Sequence, residues 1–343
     1  MMTIRTLMWV GCGRPRSDFI RDADFVRLKQ LGSVRCIETA ARGFTPQDVV
    51  HESRGAQAII TTWGTPAYPD DVLAQCQDLA FFGCVGGSVR GRIGATAWQR
   101  GIHVVTAVQA QGIGMAEQTL TLMLALLHRL PRHILTQAAD VTLEHDGANR
   151  RGLNHRELLG CRVGLIGFGS IAQHLVRMLG PFDAQITAFD PYLPDDVFNA
   201  RGVQRVDSVE ALCAQADVVS IHAARLPETR GILSRAAIGR LRPGAAVINT
   251  AFADLMDLDA ITERVQADTL HVAMDNLDVL GEANHSKIAS LRHCPNCLIT
   301  PVTFPSTDGV ARMGRLVIDE LERFARGQPL EHAVADQVLA TRA

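Results

Sequence analysis

Two stretches of this sequence carry residues whose types and spacing could do chemistry. The first is VGLIGFGSIAQHLVRMLG, residues 163–180. An apolar run ends at Gly167, Gly169 follows, and Ala172 takes the third place of a G-x-G-x-x-G/A pattern. The first glycine permits a tight turn, the second lets backbone approach a pyrophosphate, and the small third residue lets the next helix pack close to the strand. Ser170 and Ile171 would then open a helix whose N-terminus faces the phosphates. The next apolar run, ITAF, ends at Asp190, about 20 residues on, where a carboxylate binds a ribose 2′-hydroxyl. An acid there repels the 2′-phosphate of NADP, so the pattern favours NAD. A lone glycine pattern would also fit a turn in some other α/β fold. Here strand, loop, helix, strand and acid fall in order.

The second stretch is INTAFADLMD, residues 248–257. The apolar run Ala245, Ala246, Val247, Ile248 stops at Asn249-Thr250, and Phe252 stands in the turn that follows, ahead of Asp254 and Asp257. The run reads as a buried strand and the turn as the mouth of a site. A third candidate is Cys294-Pro-Asn-Cys297, with His285 and His293 nearby. A structural zinc site wants four ligands, and there is no second Cys-x-x-Cys, so no metal is expected. Cys12, Cys36, Cys76, Cys84, Cys161 and Cys213 read as small buried thiols of a reducing compartment.

These residues need elements to hold them. The chain alternates short apolar runs with helical patterns, which predicts α/β architecture with parallel sheets and right-handed crossovers. Strands are expected at 4–10, 33–37, 57–61, 79–84 and 102–106, with helices over 18–30, 69–76 and 93–100. A long helix, apolar nearly all round, is expected at about 115–130. From Gly160 a second series begins, with strands at 163–166, 185–189, 217–221, 245–249, 270–274 and 297–300. Six strands is the doubly wound dinucleotide-binding count. A last helix, about 307–326, should pack on the first domain.

The totals agree. A length of 343 residues implies two domains, and 47% apolar residues can fill two cores. Lys plus Arg is 34 against 36 for Asp plus Glu, which gives no field for nucleic acid or an acidic membrane surface. The most apolar segment, LTLMLALL, is far short of the ~20 residues of a membrane span. The start, MMTIRTLMWVGCG, reads as a strand rather than a signal peptide, so a cytoplasmic protein is expected.

Nearly end to end, the chain resembles the D-isomer-specific 2-hydroxyacid dehydrogenases. ADVVSIHAARLPETRGILSRAAIGRLRPGAAVINTA (216–251), FFGCVGGSVRGRIGATAWQRGIHV (81–104), GIGMAEQTLTLMLALLHRL (112–130) and MDNLD (274–278) carry the likeness. The resemblance implies a flavodoxin-like substrate domain over 1–108 and 306–343. It implies a Rossmann NAD-binding domain over 109–305 and a homodimer formed through that domain. It implies that His222, Thr229, Thr250 and Ala251 line the cofactor, that Asp275 holds the nicotinamide amide, and that Gly86, Gly87, Ser88 and Arg90 belong to the substrate loop.

Family members reduce 2-oxo acids with NADH. An arginine holds the carboxylate, and a histidine paired with a glutamate protonates the carbonyl oxygen as hydride arrives. This sequence departs at both. Phe252 stands at the arginine position and Val302, in Thr300-Pro301-Val302, at the histidine position. Leu280 falls at the glutamate by direct alignment, and Glu282 fits only with an insertion. Three readings remain open. One is a rewired oxidoreductase acting on a substrate other than a simple 2-oxo acid, with acid or anchoring work moved to Glu282, His285, Asp254 or Arg90. Another is a non-catalytic NAD-binding regulator or sensor. The last is an orphan reductase with vestigial activity.

Overall fold

The computed structural model describes residues 3–39, 43–138, 155–275, 287–301 and 306–336. The chain divides into two compact units, Met1–Gly114 with Pro305–Ala343, and Met115–Phe304.

In the first unit, β1 (Thr6–Val10), β2 (Val34–Glu38), β3 (Ala58–Thr61), β4 (Phe81–Cys84) and β5 (His103–Thr106) form a parallel sheet. Its order is β2-β1-β3-β4-β5, the doubly wound order of flavodoxin-like sheets. Four of these strands are buried continuously or nearly so, as a sheet covered on both faces requires. The helix Thr307–Ala325 packs on β4, β5 and the helices Arg16–Phe19 and Asp22–Gln30. Gly314 lets it approach closely, because a Cβ there would stand 1.8 Å from the carbonyl oxygen of Phe19. Asp24, 2% exposed, accepts from Arg27 at 3.0 Å and Arg315 at 3.2 Å, which ties the two ends of the chain together.

The second unit holds β6 (Arg162–Ile166), β7 (Gln185–Phe189), β8 (Gln204–Arg205), β9 (Val218–Ile221), β10 (Ala245–Asn249), β11 (Leu270–Met274) and β12 (Cys297–Ile299). All pair in parallel, in the order β12-β11-β10-β9-β6-β7-β8. The order reverses between β6 and β9, so the crevice beyond their carboxyl ends is where such a sheet binds ligands.

Several expectations need correction. The second sheet has seven strands, not six; β8 is two exposed residues at an edge and carries no apolar signal. The long helix is Val108–Leu127 and starts earlier than expected, continuing through Gly112 and Gly114. It stops before Arg129, whose φ of 57° breaks the helical path. The stretch 18–30 is two helices, Arg16–Phe19 and Asp22–Gln30. The helix Pro46–Ser53 was missed, although Thr45 and Asp48 form a capping box. Cys12 and Cys36 are exposed; β2 is a sheet edge and Cys12 sits in a turn with φ 60°. Among the described residues, no helix is long and apolar enough to cross a membrane.

The opposite end of the second sheet is held by polar groups. Asp217, 5% exposed, accepts from the backbone N–H of Arg162 at 2.9 Å and pairs with Arg156, Arg162 and Arg242. On β11, His271 is 6% exposed and accepts from Nη1 of the equally enclosed Arg129. Burial first, then the Arg129 charge, pushes the His271 imidazole down to about 4 from 6.5. Between those values the unfolded chain binds a proton that the folded chain refuses, so stability falls as pH drops from 6.5 toward 4. One group shifted this far contributes on the order of 2–3 kcal/mol over that window. Urea midpoints measured from pH 7 to pH 4.5 should fall, and His271→Gln should flatten the fall; an unchanged slope would refute this assignment.

Candidate active site

The site grows from the end of β6. Gly167 has φ 87°, a conformation only glycine adopts without strain. A Cβ there would also meet Ala223 N at 2.7 Å and His222 C at 2.8 Å. The position therefore needs glycine for two independent reasons. Gly169 caps the helix Ser170–Leu179 with extended backbone and no side-chain bond to the first turn. A Cβ on Gly169 would meet nothing within 4 Å, so open space lies over this helix N-terminus. Ala172 is fully buried beneath it. Ser170 and Ile171 lie in that first turn, both partly exposed.

Asp190 follows β7 directly. Its Oδ2 accepts from the Phe168 N–H at 2.9 Å and its Oδ1 from Tyr192 N–H at 3.0 Å. The carboxylate is thus fixed to the phosphate loop itself. Each oxygen retains a lone pair for a hydroxyl donor.

The turn after β9 leans on the same loop. His222 N–H donates to Ile166 O at 2.7 Å, and its Nε2 lies 2.9 Å from Ser220 Oγ. Its Nδ1 is enclosed and has no partner among the described residues. Burial pushes this imidazole down to about 4, so it is neutral at pH 7 and one ring nitrogen can accept. Thr229 is buried, and its hydroxyl accepts from Leu226 N–H at 2.9 Å and donates to Ala224 O at 2.6 Å. That hydroxyl shapes the loop from within.

The turn after β10 is built by Asn249, 1% exposed. Its Oδ1 accepts from Ala251 N–H at 2.9 Å, and its Nδ2 donates to Phe252 O at 2.8 Å. The Thr250 hydroxyl meets Thr119 Oγ1 at 3.1 Å. Phe252, extended at φ −129°, is half-buried against the core of this unit. Next along the edge, the N–H of Asp275 donates to Asn249 O at 3.0 Å, and its Oδ1 accepts from Thr300 Oγ1 at 2.8 Å.

One residue of this rim escaped the sequence reading. Arg225, in the turn after β9, sets its guanidinium carbon 5.0 Å from the centroid of the Phe252 ring. Its Nε donates to Asp254 Oδ2 at 2.8 Å. A lone arginine just past an apolar strand end was the available signal.

The other candidates fall elsewhere. Gly86, Gly87, Ser88 and Arg90 follow β4 in the first unit, where a Cβ on Gly87 would strike Gln111 Oε1 and Ser88 Oγ accepts from Arg90 N–H at 3.1 Å. Glu282, His285 and Val302 lie outside the described residues. Cys297 is buried and its thiol pushed up to about 12, while Cys294 Sγ faces Ser290 O.

A doubly wound parallel sheet, a glycine loop opening a helix at its switch point and an acid on the neighbouring strand define a dinucleotide-binding protein. The family model described as "D-isomer specific 2-hydroxyacid dehydrogenase, NAD binding domain" matches residues 120–303, and the chain belongs to that family. It is 30% identical over 308 residues to a D-3-phosphoglycerate dehydrogenase of Methanocaldococcus jannaschii, covering 90% of this chain and 56% of the relative. It is 32% identical over 183 residues to a hydroxypyruvate reductase of Thermotoga maritima, covering 53% of this chain and 56% of that protein. The chain thus spans about half the length of these relatives. In fold it resembles a phosphoglycerate oxidoreductase from Rhizobium etli, with a TM-score of 0.78 at 23% identity, covering 97% of this chain and 98% of that one.

The loop residues fit NAD: open space lies at Gly169 for a phosphate, and Asp190, fixed to the loop, keeps a lone pair on each oxygen for ribose hydroxyls. Two glycine variants separate folding from binding. Gly169→Val should change stability by no more than about 1 kcal/mol, a weaker cap and nothing else, yet lower NADH affinity at least tenfold. Gly167→Ala should cost about 1–3 kcal/mol from backbone conflict and strain. Thermal melts and NADH fluorescence titrations decide it. Undiminished binding by Gly169→Val would mean that no phosphate sits there.

Proposed function

We propose that this chain is an NAD-dependent oxidoreductase of the 2-hydroxyacid dehydrogenase type whose substrate end has been rewritten. The observation that carries the reading is Phe252, an apolar ring at the rim of an otherwise complete cofactor loop. NAD, when bound, accepts or supplies the hydride. The N–H groups of Gly169, Ser170 and Ile171 hold its pyrophosphate, and Asp190 takes the ribose hydroxyls. His222, Thr250 and Ala251 line the cofactor, with Thr229 holding the loop behind them. Asp275 orients the nicotinamide amide. Gly86, Gly87, Ser88 and Arg90 belong to the substrate domain, over 1–108 and 306–343, and residues 109–305 form the cofactor domain.

Hydride addition to a carbonyl builds an alkoxide that needs a proton. Neither Phe252 nor Val302 can clamp a carboxylate or donate that proton. Glu282 and His285 are the candidates for the acid, and the substrate is not a simple 2-oxo acid. A homodimer is supported by Leu130, Ile134 and Leu159, which expose 47%, 57% and 59% of their surface on the second unit. The emptied positions 252 and 302 beside a sound loop also favour a second reading, a catalytically inactive NAD-binding regulator or sensor.

NADH absorbance should fall when the protein meets at least one member of a panel of aldehydes, bulky ketones and 2-oxo acids. The variant Phe252→Arg with Val302→His should gain 2-oxo acid reduction, since a positioned acid alone contributes about 10²–10⁴ in rate. Silence from the natural protein across the panel, with NADH bound, would exclude the enzymatic reading for those substrates and favour the regulator.

A further inference from the structure

The arginine missing at position 252 has a neighbour that can do part of its work. β9 and β10 are paired strands, with Asn249 opposite Ile221. The turns that leave them therefore run side by side, and they bring Arg225 over Phe252. The Phe252 ring supports one face of the guanidinium by cation–π contact. Asp254 takes Nε at 2.8 Å, and the remaining charged neighbour, Arg230, lies farther from Asp254 at 3.9 Å. Asp254 is itself partly enclosed, with its Oδ1 buried and without a partner among the described residues.

Two contacts therefore hold Arg225, the ring at its Cζ and Asp254 at its Nε. Among the described residues, neither takes its Nη1 or Nη2. A guanidinium held this way presents its terminal pair of N–H donors as a fork, the geometry that matches a carboxylate in bidentate fashion. The side chain is 38% exposed, so the fork is reachable. The aromatic support has a further consequence. A guanidinium stacked on a ring has fewer rotamers to lose on binding an anion than one on a bare surface. Phe252 then stands as the platform for a relocated cation, and the apolar residue and the arginine form one device.

We propose that Arg225 is the substrate anchor of this protein: it binds the carboxylate of an anionic carbonyl substrate, with Phe252 supporting its plane and Asp254 orienting it. This rests on the NAD-dependent reading above and names the chemistry of its substrate. Moving the cation from residue 252 to residue 225 moves the acid group that it can hold. The substrate carboxylate therefore sits differently, relative to the reacting carbon, than in a 2-oxo acid held from position 252.

Calorimetry on the full-length protein tests this in two arms. The first titrates NADH into the natural protein, Arg225→Met and Arg225→Lys. The second titrates oxalate, malonate and succinate, as carboxylate probes, into each protein saturated with NADH. The expected result is equal NADH affinity in all three, binding of at least one dicarboxylate by the natural protein, and a loss of at least tenfold in Arg225→Met. Arg225→Lys should recover charge without the fork and fall between. The double variant Arg225→Met with Asp254→Asn should lose the dicarboxylate equally, which excludes repulsion by a bare Asp254 as the cause.

Equal dicarboxylate affinity in natural protein and Arg225→Met overturns the assignment, as does absence of dicarboxylate binding by the NADH-loaded natural protein. A drop in NADH affinity in Arg225→Met also overturns it, because the arginine would then serve the cofactor phosphates. If the natural protein binds no NADH, the cofactor reading fails, and this inference fails with it.

Discussion

Gly167 has no side chain, and the space where a Cβ would stand is closed by the backbone of His222 and Ala223. That contact sets the rest of the site. It brings the turn after β6 against the turn after β9, with the His222 N–H bonded to Ile166 O as the fastener. The phosphate loop and the segment 222–229 are therefore one structural body, and whatever the second segment carries is held in register with the first. Arg225 lies three residues past that fastener. The positive φ at Gly167 and the close approach are two demands on one residue, so neither can be relaxed without disturbing the other.

The two ends of the second sheet divide the labour. At the amino ends of the strands, charged groups are gathered together: Asp217 pairs with Arg156, Arg162 and Arg242, and His271 is kept neutral beside Arg129. Such groups are expensive to enclose, and removing one partner leaves the other uncompensated. At the carboxyl ends the polar groups are arranged differently. Asn249 uses both ends of its amide on the backbone of the turn, yet His222 Nδ1 and Asp254 Oδ1 are enclosed with no partner among the described residues. Buried polar atoms normally find partners, and the exceptions lie at both ends of this sheet, since His271 Nδ1 and Arg242 Nε are also enclosed without one among the described residues.

What could be read in the sequence follows from how local the cause is. The glycine loop, Asp190 and strands such as β7, β10 and β11 were legible because spacing along the chain alone encodes them. β8 was not, since two exposed residues at a sheet edge carry no periodicity. The start of the helix Val108–Leu127 was hidden by Gly112 and Gly114, whose low helix propensity is overridden by tertiary packing. The helix Pro46–Ser53 was legible by its cap but not by apolar period. Arg225 was illegible for a deeper reason. Its meaning lies in Phe252 and Asp254, more than 25 residues away, and only the pairing of β9 with β10 brings them together.

That pairing also changes what Phe252 means in the fold. Taken alone, a phenylalanine in this turn is an apolar wall at the rim. In the folded chain a guanidinium stands over that wall, 5.0 Å from its centre, and an acid two residues farther on fixes its Nε. The rim thus carries a cation and an apolar ring together, each supplied by a different strand end. What a residue at such a rim can do is set by what the neighbouring strand brings against it, which its own place in the sequence does not encode.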